Sequence, residues 1–578
     1  MIKQFKTLLI FPPFWEPTSP YIALPLLTSY LKSKGYNIVQ KDLNIEFFDR
    51  VLTADFLFDL LKQKKINYKP YIELIQNVNI VKPIFKTSLF YDPIKYIQGK
   101  YILEKVFELI SFIYKPTFFS FRIFSMRYRF SSSIEVINAT QNNKENPFID
   151  YYNNYVIDEI LDISPNLIGI SIIEGTQVIP GLTLARLLKT IKPEIHITIG
   201  GTFFSKVYKS VLNNPHLFKI FFDSVVVGEG EIPLLNLIQV LDNTLTLRMD
   251  NVPSLIYLKN NKVKINQLNN SCNINQFPTP DFDDLSLDKY LVPTPILPVL
   301  ASRNCYWRKC TFCDHHSTYS PRYRVRSIEN VINDLEILEE KYNVSHFVFN
   351  DESITANRCK QIALKIKERG LNIYWLALSR FEKGFTLETC KKISSGGGKY
   401  LIFGLETSSP RILKLMNKGF EIDTILKTLK NTSKAGIWTY SYIFWGFPSE
   451  TENEALNTIR FIIKNKNIIP SLGMGFFSLK KYSPIGYNPN KYNIRIKNPD
   501  IFEDWVTDLQ FEVESGININ KAKQIYQRAV NIIWEEYKGP FWLIENLRSN
   551  IFLYLTHHGI EKLKSIDLRG LVKARLLL

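Results

Sequence analysis

Short apolar runs that end at glycine or proline alternate with stretches of helical spacing along much of this 578-residue chain. Apolar runs that lack inside–outside alternation are buried on both faces, and a parallel sheet covered by helices supplies that environment repeatedly. Thr7–Phe11 reads as a strand stopped by Pro12-Pro13, and Ala23–Lys34 as a helix ended by Gly35. Asn37–Asp42 is a second strand, Leu167–Ile173 a third, Ile195–Ile199 a fourth and Ser224–Val227 a fifth. Val178–Ile191 and Pro233–Leu241 carry helical spacing. The fold class is therefore α/β.

Residues 1–241 read as one flavodoxin-like doubly wound sheet with a helical insertion at about 55–150. Such sheets bind ligands beyond the carboxyl ends of their strands, where glycine permits close backbone approach. Gly200-Gly201-Thr202 and Gly228-Glu229-Gly230-Glu231 both fall at such ends, although ordinary tight turns would read the same way. Between Lys62 and Asp150 the insertion holds 14 Lys and Arg against 7 Asp and Glu, with Phe112, Phe118, Phe119, Phe121, Phe124 and Phe130 interleaved. That pattern suits either a surface for an anionic or extended partner or a helical unit packing its own core.

Residues 242–296 are polar, Asn-rich and punctuated by proline, and read as a linker. The alternation then resumes. Val299–Ser302, His346–Asn350, Ile373–Leu378, Tyr400–Gly404, Trp438–Phe444 and Gly473–Leu479 are the expected strands. About 190 residues at roughly 31 per strand–helix unit give six units, so 297–490 is expected to form a partial (β/α)6 barrel and not a complete eightfold one. Residues 491–578 read as mainly helical.

Composition narrows the function classes. The +17 net charge is thinly spread, which argues against specific nucleic-acid recognition. No run of 18 apolar residues exists to span a membrane. Six cysteines in 578 residues make no disulfide scaffold, yet three of them, Cys305, Cys310 and Cys313, lie within nine residues. Three thiolates in one loop can hold three irons of a [4Fe–4S] cube and leave the fourth open to a reacting molecule. The alternative is structural zinc, with His315 or His316 as fourth ligand. Cys272, Cys359 and Cys390 are scattered and form no second group.

A cysteine triad after the first strand of a partial barrel resembles the radical SAM superfamily. The family spacing is C-x3-C-x2-C, whereas this chain has C-x4-C-x2-C, one residue longer in the first half. Phe312 matches the family's aromatic before the last cysteine. Asp351 and Glu352, Ser379-Arg380, Glu406 and Ser408, and Gly446-Phe447-Pro448-Ser449-Glu450-Thr451 follow the next four expected strands in the family's order. The resemblance implies that S-adenosyl-L-methionine (SAM) binds the open iron and is held by Phe312, Asp351, Glu352, Arg380, Glu406, Ser408 and Gly446.

A flavodoxin-like sheet before such a barrel is similar to the cobalamin-binding radical SAM enzymes. That resemblance implies cobalamin held by Gly200, Gly201, Thr202, Gly228 and Glu229. It implies a C-methyltransferase acting on an unactivated carbon of a peptide or other natural product, with cobalamin as methyl carrier. It further implies a flavodoxin- or ferredoxin-type electron donor and a cytoplasmic setting. A non-methylating cyclisation or rearrangement on the same cofactors is one alternative; a cluster-containing binding or sensory protein is another. Cys310→Ala should abolish both the cluster and SAM cleavage and leave cobalamin binding largely intact, as read by iron content, 5′-deoxyadenosine formation and cobalamin absorbance.

Overall fold

The computed structural model describes residues 5–243, 248–268, 272–315, 322–497, 503–540 and 548–570, and divides into two compact units. His316 lies outside the described residues. The first unit holds the chain through Pro293 together with residues near 503–507. Its sheet is built from β1 (Lys6–Phe11), β2 (Asn37–Asp42), β3 (Leu167–Ser171), β4 (His196–Gly200) and β5 (Ser224–Val226), extended by β6 (Leu255–Lys259) and β7 (Lys262–Ile265).

The strand order is β2-β1-β3-β4-β5-β6-β7, with the first five parallel. This is the doubly wound order 2-1-3-4-5. Leu8, Leu9, Ile10 and Phe11 are all buried, as a strand covered on both faces requires. β6 and β7 run antiparallel and place Ile256 opposite Val225. The stretch that read as a linker therefore contains a hairpin of the sheet. Asn260 and Asn261, both at positive φ, form the two-residue turn between its strands.

The insertion is helical, with its longest helix at Pro93–Ile113 and a short Phe118–Phe119/Phe124–Ser125 hairpin. Phe119, Phe121 and Phe124 are buried against Phe14, Phe47 and Phe48, so these aromatics build core. Phe112, Phe118 and Phe130 stay exposed. Arg127 and Arg129 pair with Glu145 and Glu135. Trp505 is fully buried against Phe203 and Phe204, which fastens the 503–507 segment to this unit.

The second unit carries six parallel strands in sequential order: β8 (Ile296–Val299), β9 (His346–Phe349), β10 (Tyr374–Ser379), β11 (Gly398–Glu406), β12 (Trp438–Trp445) and β13 (Ser471–Phe476). The first strand ends earlier than the apolar pattern suggests. Ser302 and Arg303 leave it to pair antiparallel with Arg324 and Val325, forming a two-residue ladder at the root of the cysteine loop. After β13, two short antiparallel pairings (479–480 with 508–509, and 494–496 with 511–513) precede the helices Ile519–Glu536 and Arg548–His558. Among the described residues no helix is long and apolar enough to cross a membrane.

Two turns at strand ends show why glycine stands where it does. Gly201, at φ +99°, passes Ile172 so closely that a Cβ would stand 2.3 Å from its carbonyl oxygen. Gly201→Ala should therefore destabilise the first unit by more than about 1 kcal/mol, read as a lower urea midpoint. Gly228, at φ +83°, makes the matching turn after β5.

Candidate metal and cofactor site

The cysteine loop leaves β8 through Ala301 and Ser302. Asn304, in the left-handed region at φ +73°, turns the chain, and its side-chain oxygen accepts from the Cys305 N–H at 3.1 Å. Arg308, between Cys305 and Cys310, is also in the left-handed region at φ +53°. Trp307 donates its indole N–H to the Asn417 carbonyl at 2.7 Å and lies so close to Gly419 that a Cβ there would clash with the ring at 2.1 Å. In the second half, Thr311 donates from N–H to the Met416 carbonyl at 3.0 Å, and its own carbonyl accepts from Ile485 at 2.9 Å. The loop is thus held by the segment after β11 and by Ile485 beyond β13.

Cys305, Cys310 and Cys313 are all free thiols and half-buried. Burial pushes the Cys313 thiol up to about 12, the direction that a bound cation reverses. Among the described residues, the only trio of possible ligands with all its atoms within 4.8 Å is Glu229, Glu231 and Cys272. A structural zinc would need a fourth ligand, and His315, the described candidate, is exposed.

The strand ends around this loop carry the expected residues. Asp351, past β9, is buried and accepts from the Ala301 N–H at 3.0 Å and from the Ser302 hydroxyl. Burial pushes its carboxyl up to about 7. Glu352 beside it is half-buried. Arg380, past β10, directs one guanidinium nitrogen to Cys310 Sγ at 3.6 Å and donates with another to the Lys418 carbonyl. Glu406, at the end of β11, sits at φ +64° where the register to β12 shifts, and pairs with Lys418 Nζ at 2.8 Å. Lys418 Nζ also lies 5.7 Å from the centre of the Phe312 ring. Phe312 packs edge-on to Phe444 of β12 at 5.3 Å. Cys310, Arg380, Lys418, Glu406 and Phe312 thus form one contiguous group.

Ser408 and Gly446 stand on the following elements. The Ser408 N–H donates to Thr458 Oγ1 at 3.1 Å, which fixes the turn after β11. Gly446, at φ +87°, donates to the Glu450 carboxylate at 2.7 Å, and burial pushes Glu450 up to about 7. Lys418 was not foreseen from the sequence, since one lysine before a glycine carries no signal. Glu450 lay inside the quoted 446–451 motif, without a role of its own.

In the first unit the two expected turns meet through one hydroxyl. Ser205 Oγ accepts from the Gly228 N–H at 2.8 Å and donates to the Gly201 carbonyl at 2.9 Å. Gly200 closes β4, and Thr202 begins the next helix. Glu229 is buried and accepts from the Cys272 thiol at 3.3 Å, so that scattered cysteine has a defined place. Cys359 and Cys390 are buried, with thiols pushed up to about 12.

Residues 299–462 match the Radical SAM superfamily. An uncharacterised methyltransferase of Pyrococcus horikoshii is 30% identical over 309 residues, which cover 53% of this chain and 65% of that protein. An anaerobic magnesium-protoporphyrin IX monomethyl ester cyclase of Rubrivivax gelatinosus is 25% identical over 311 residues, covering 52% and 55%. The chain thus spans less than two thirds of either relative. Among solved structures, the cobalamin-dependent SAM radical enzyme OxsB matches 100% of this chain and 75% of its own, with a TM-score of 0.60 at 14% identity. The radical SAM methyltransferase TsrM of Kitasatospora setae matches 92% and 89%, with a TM-score of 0.55 at 13% identity. At these identities the likeness is one of fold.

Asp351 and Glu450 bind their protons more tightly in the folded chain than in the unfolded one. Folding therefore takes up protons between the ordinary carboxylate range and about pH 7. Stability without ligands should fall as pH rises through that window and level off above it. Asp351→Asn and Glu450→Gln should each flatten the slope, as measured by urea midpoints from about pH 4 to 8.

Proposed function

From a chain whose residues 299–462 match the Radical SAM superfamily, we propose a cobalamin-dependent enzyme that methylates an unactivated carbon of a peptide or other natural product. The observation that carries this reading is the loop of three free thiols at the carboxyl end of the first of six parallel strands, flanked by Phe312, Arg380, Glu406 and Lys418. A cluster and SAM bound there would supply a 5′-deoxyadenosyl radical, and cobalamin would carry the methyl group.

The roles proposed for this chain's residues follow from their surroundings. Cys305, Cys310 and Cys313 hold the metal. Asp351 and Glu352 offer carboxylates to a SAM ammonium, and Asp351 gains a reason to ionise when that cation arrives. Phe312 offers a ring face to the adenine. Glu406 and Ser408 border the ribose and carboxylate positions, and Gly446 offers close backbone approach. In the first unit Gly200, Gly201, Thr202, Gly228 and Glu229 border the cobalamin nucleotide. A flavodoxin- or ferredoxin-type donor in a reducing compartment supplies electrons.

The methyltransferase name of the Pyrococcus relative supports methyl transfer. A non-methylating cyclisation is the second reading, favoured by the similarity to the Rubrivivax cyclase. Anaerobically reconstituted protein given SAM, a strong reductant and cobalamin should form both 5′-deoxyadenosine and S-adenosylhomocysteine by mass spectrometry. Deoxyadenosine without S-adenosylhomocysteine would favour the cyclase-like reading, and zinc in place of iron would overturn both.

A further inference from the structure

Arg380 is expected at SAM by family order, and its guanidinium lies against the cysteine loop. The side chain is 8% exposed. One terminal nitrogen lies 3.6 Å from Cys310 Sγ, and the other donates to the Lys418 carbonyl. The plane is flanked by aromatic faces: Trp307 at 4.6 Å, Phe420 at 5.5 Å and Tyr306 at 5.9 Å. Those faces are themselves fixed. Trp307 is tied to the Asn417 carbonyl, and the Tyr306 hydroxyl donates to Glu382 at 2.8 Å. Among the described residues Arg380 makes no ion pair with a carboxylate, so its charge acts on the sulfur and the ring faces. Only a planar, forked cation can stack and donate in two directions at once.

We infer that Arg380 is a positioning residue whose hydrogen bond to Cys310 raises the reduction potential of the cluster held by the cysteine loop. The inference rests on the iron–sulfur reading of that loop. Reduction adds one electron, from a donor such as dithionite, and makes the cluster with its thiolates more negative. A cation donating to a ligand sulfur stabilises the more negative state, and hydrogen bonds to sulfur are a recognised control of such potentials. Removing the guanidinium therefore makes the cluster harder to reduce, without removing any ligand to iron.

The test compares wild-type, Arg380→Gln and Arg380→Lys proteins, reconstituted anaerobically and titrated under EPR. All three should hold iron in equal amount. At the wild-type midpoint, the ratio of reduced to oxidised cluster should fall about tenfold in Arg380→Gln, a shift of about 59 mV for a one-electron couple. Arg380→Lys, which keeps the charge without the fork, should fall between the two. An unchanged midpoint in Arg380→Gln overturns the inference. If that variant loses iron, an unchanged midpoint in Arg380→Lys overturns it instead. A wild-type protein with no four-iron signal overturns the cluster reading itself, which separates the two failures.

Discussion

One buried carboxyl ties the exits of the first two strands of the second unit, and the site depends on that tie. Asp351 leaves β9 and accepts hydrogen bonds from Ala301 and Ser302, the two residues through which β8 passes into the cysteine loop. The Ala301 carbonyl in turn accepts from the Arg326 N–H and from Arg358. Arg326 is buried with Asp334, and removing one partner of such a pair costs about 3–5 kcal/mol. The loop therefore starts from a root that the sheet, the buried Arg326 and the half-buried Arg358 hold. A root of that stiffness lets a loop of irregular backbone keep its thiols in place.

Around that root, charge is concentrated. Lys418 and Arg380 are buried cations beside Phe312 and Cys310, while Glu406 is the acidic partner of Lys418. Burial pushes the Cys313 thiol up. Burial likewise raises Asp351 and Glu450, although each already accepts hydrogen bonds.

Much of this was legible before any coordinates. The strand runs, the six-unit count and the strand-end motifs follow from local patterns, because a strand buried on both faces must be apolar and must end at a turn. What was missed depends on contacts distant in sequence. The β6–β7 hairpin was hidden because polar residues and prolines surround it, although Leu255 and Ile256 bury fully against the sheet. The aromatic insertion had two readings, and packing of Phe119 and Phe121 onto Phe47 and Phe48 decided for core.

By itself, then, the sequence determined the class of fold, the clustering of three cysteines in one loop and the order in which the candidate polar residues meet the strand ends. Those properties reside in spacing, and spacing is written along the chain. Only the tertiary structure decided where the side chains point. Arg380 turns to Cys310, Lys418 reaches Glu406 and Phe312, and Ser205 joins the turns of Gly201 and Gly228. The contacts of Arg380 with Cys310, Lys418 with Phe312 and Ser205 with Gly228 join residues that belong to different strand ends. The parallel registers that create them come from packing both faces of each sheet, which no local pattern specifies.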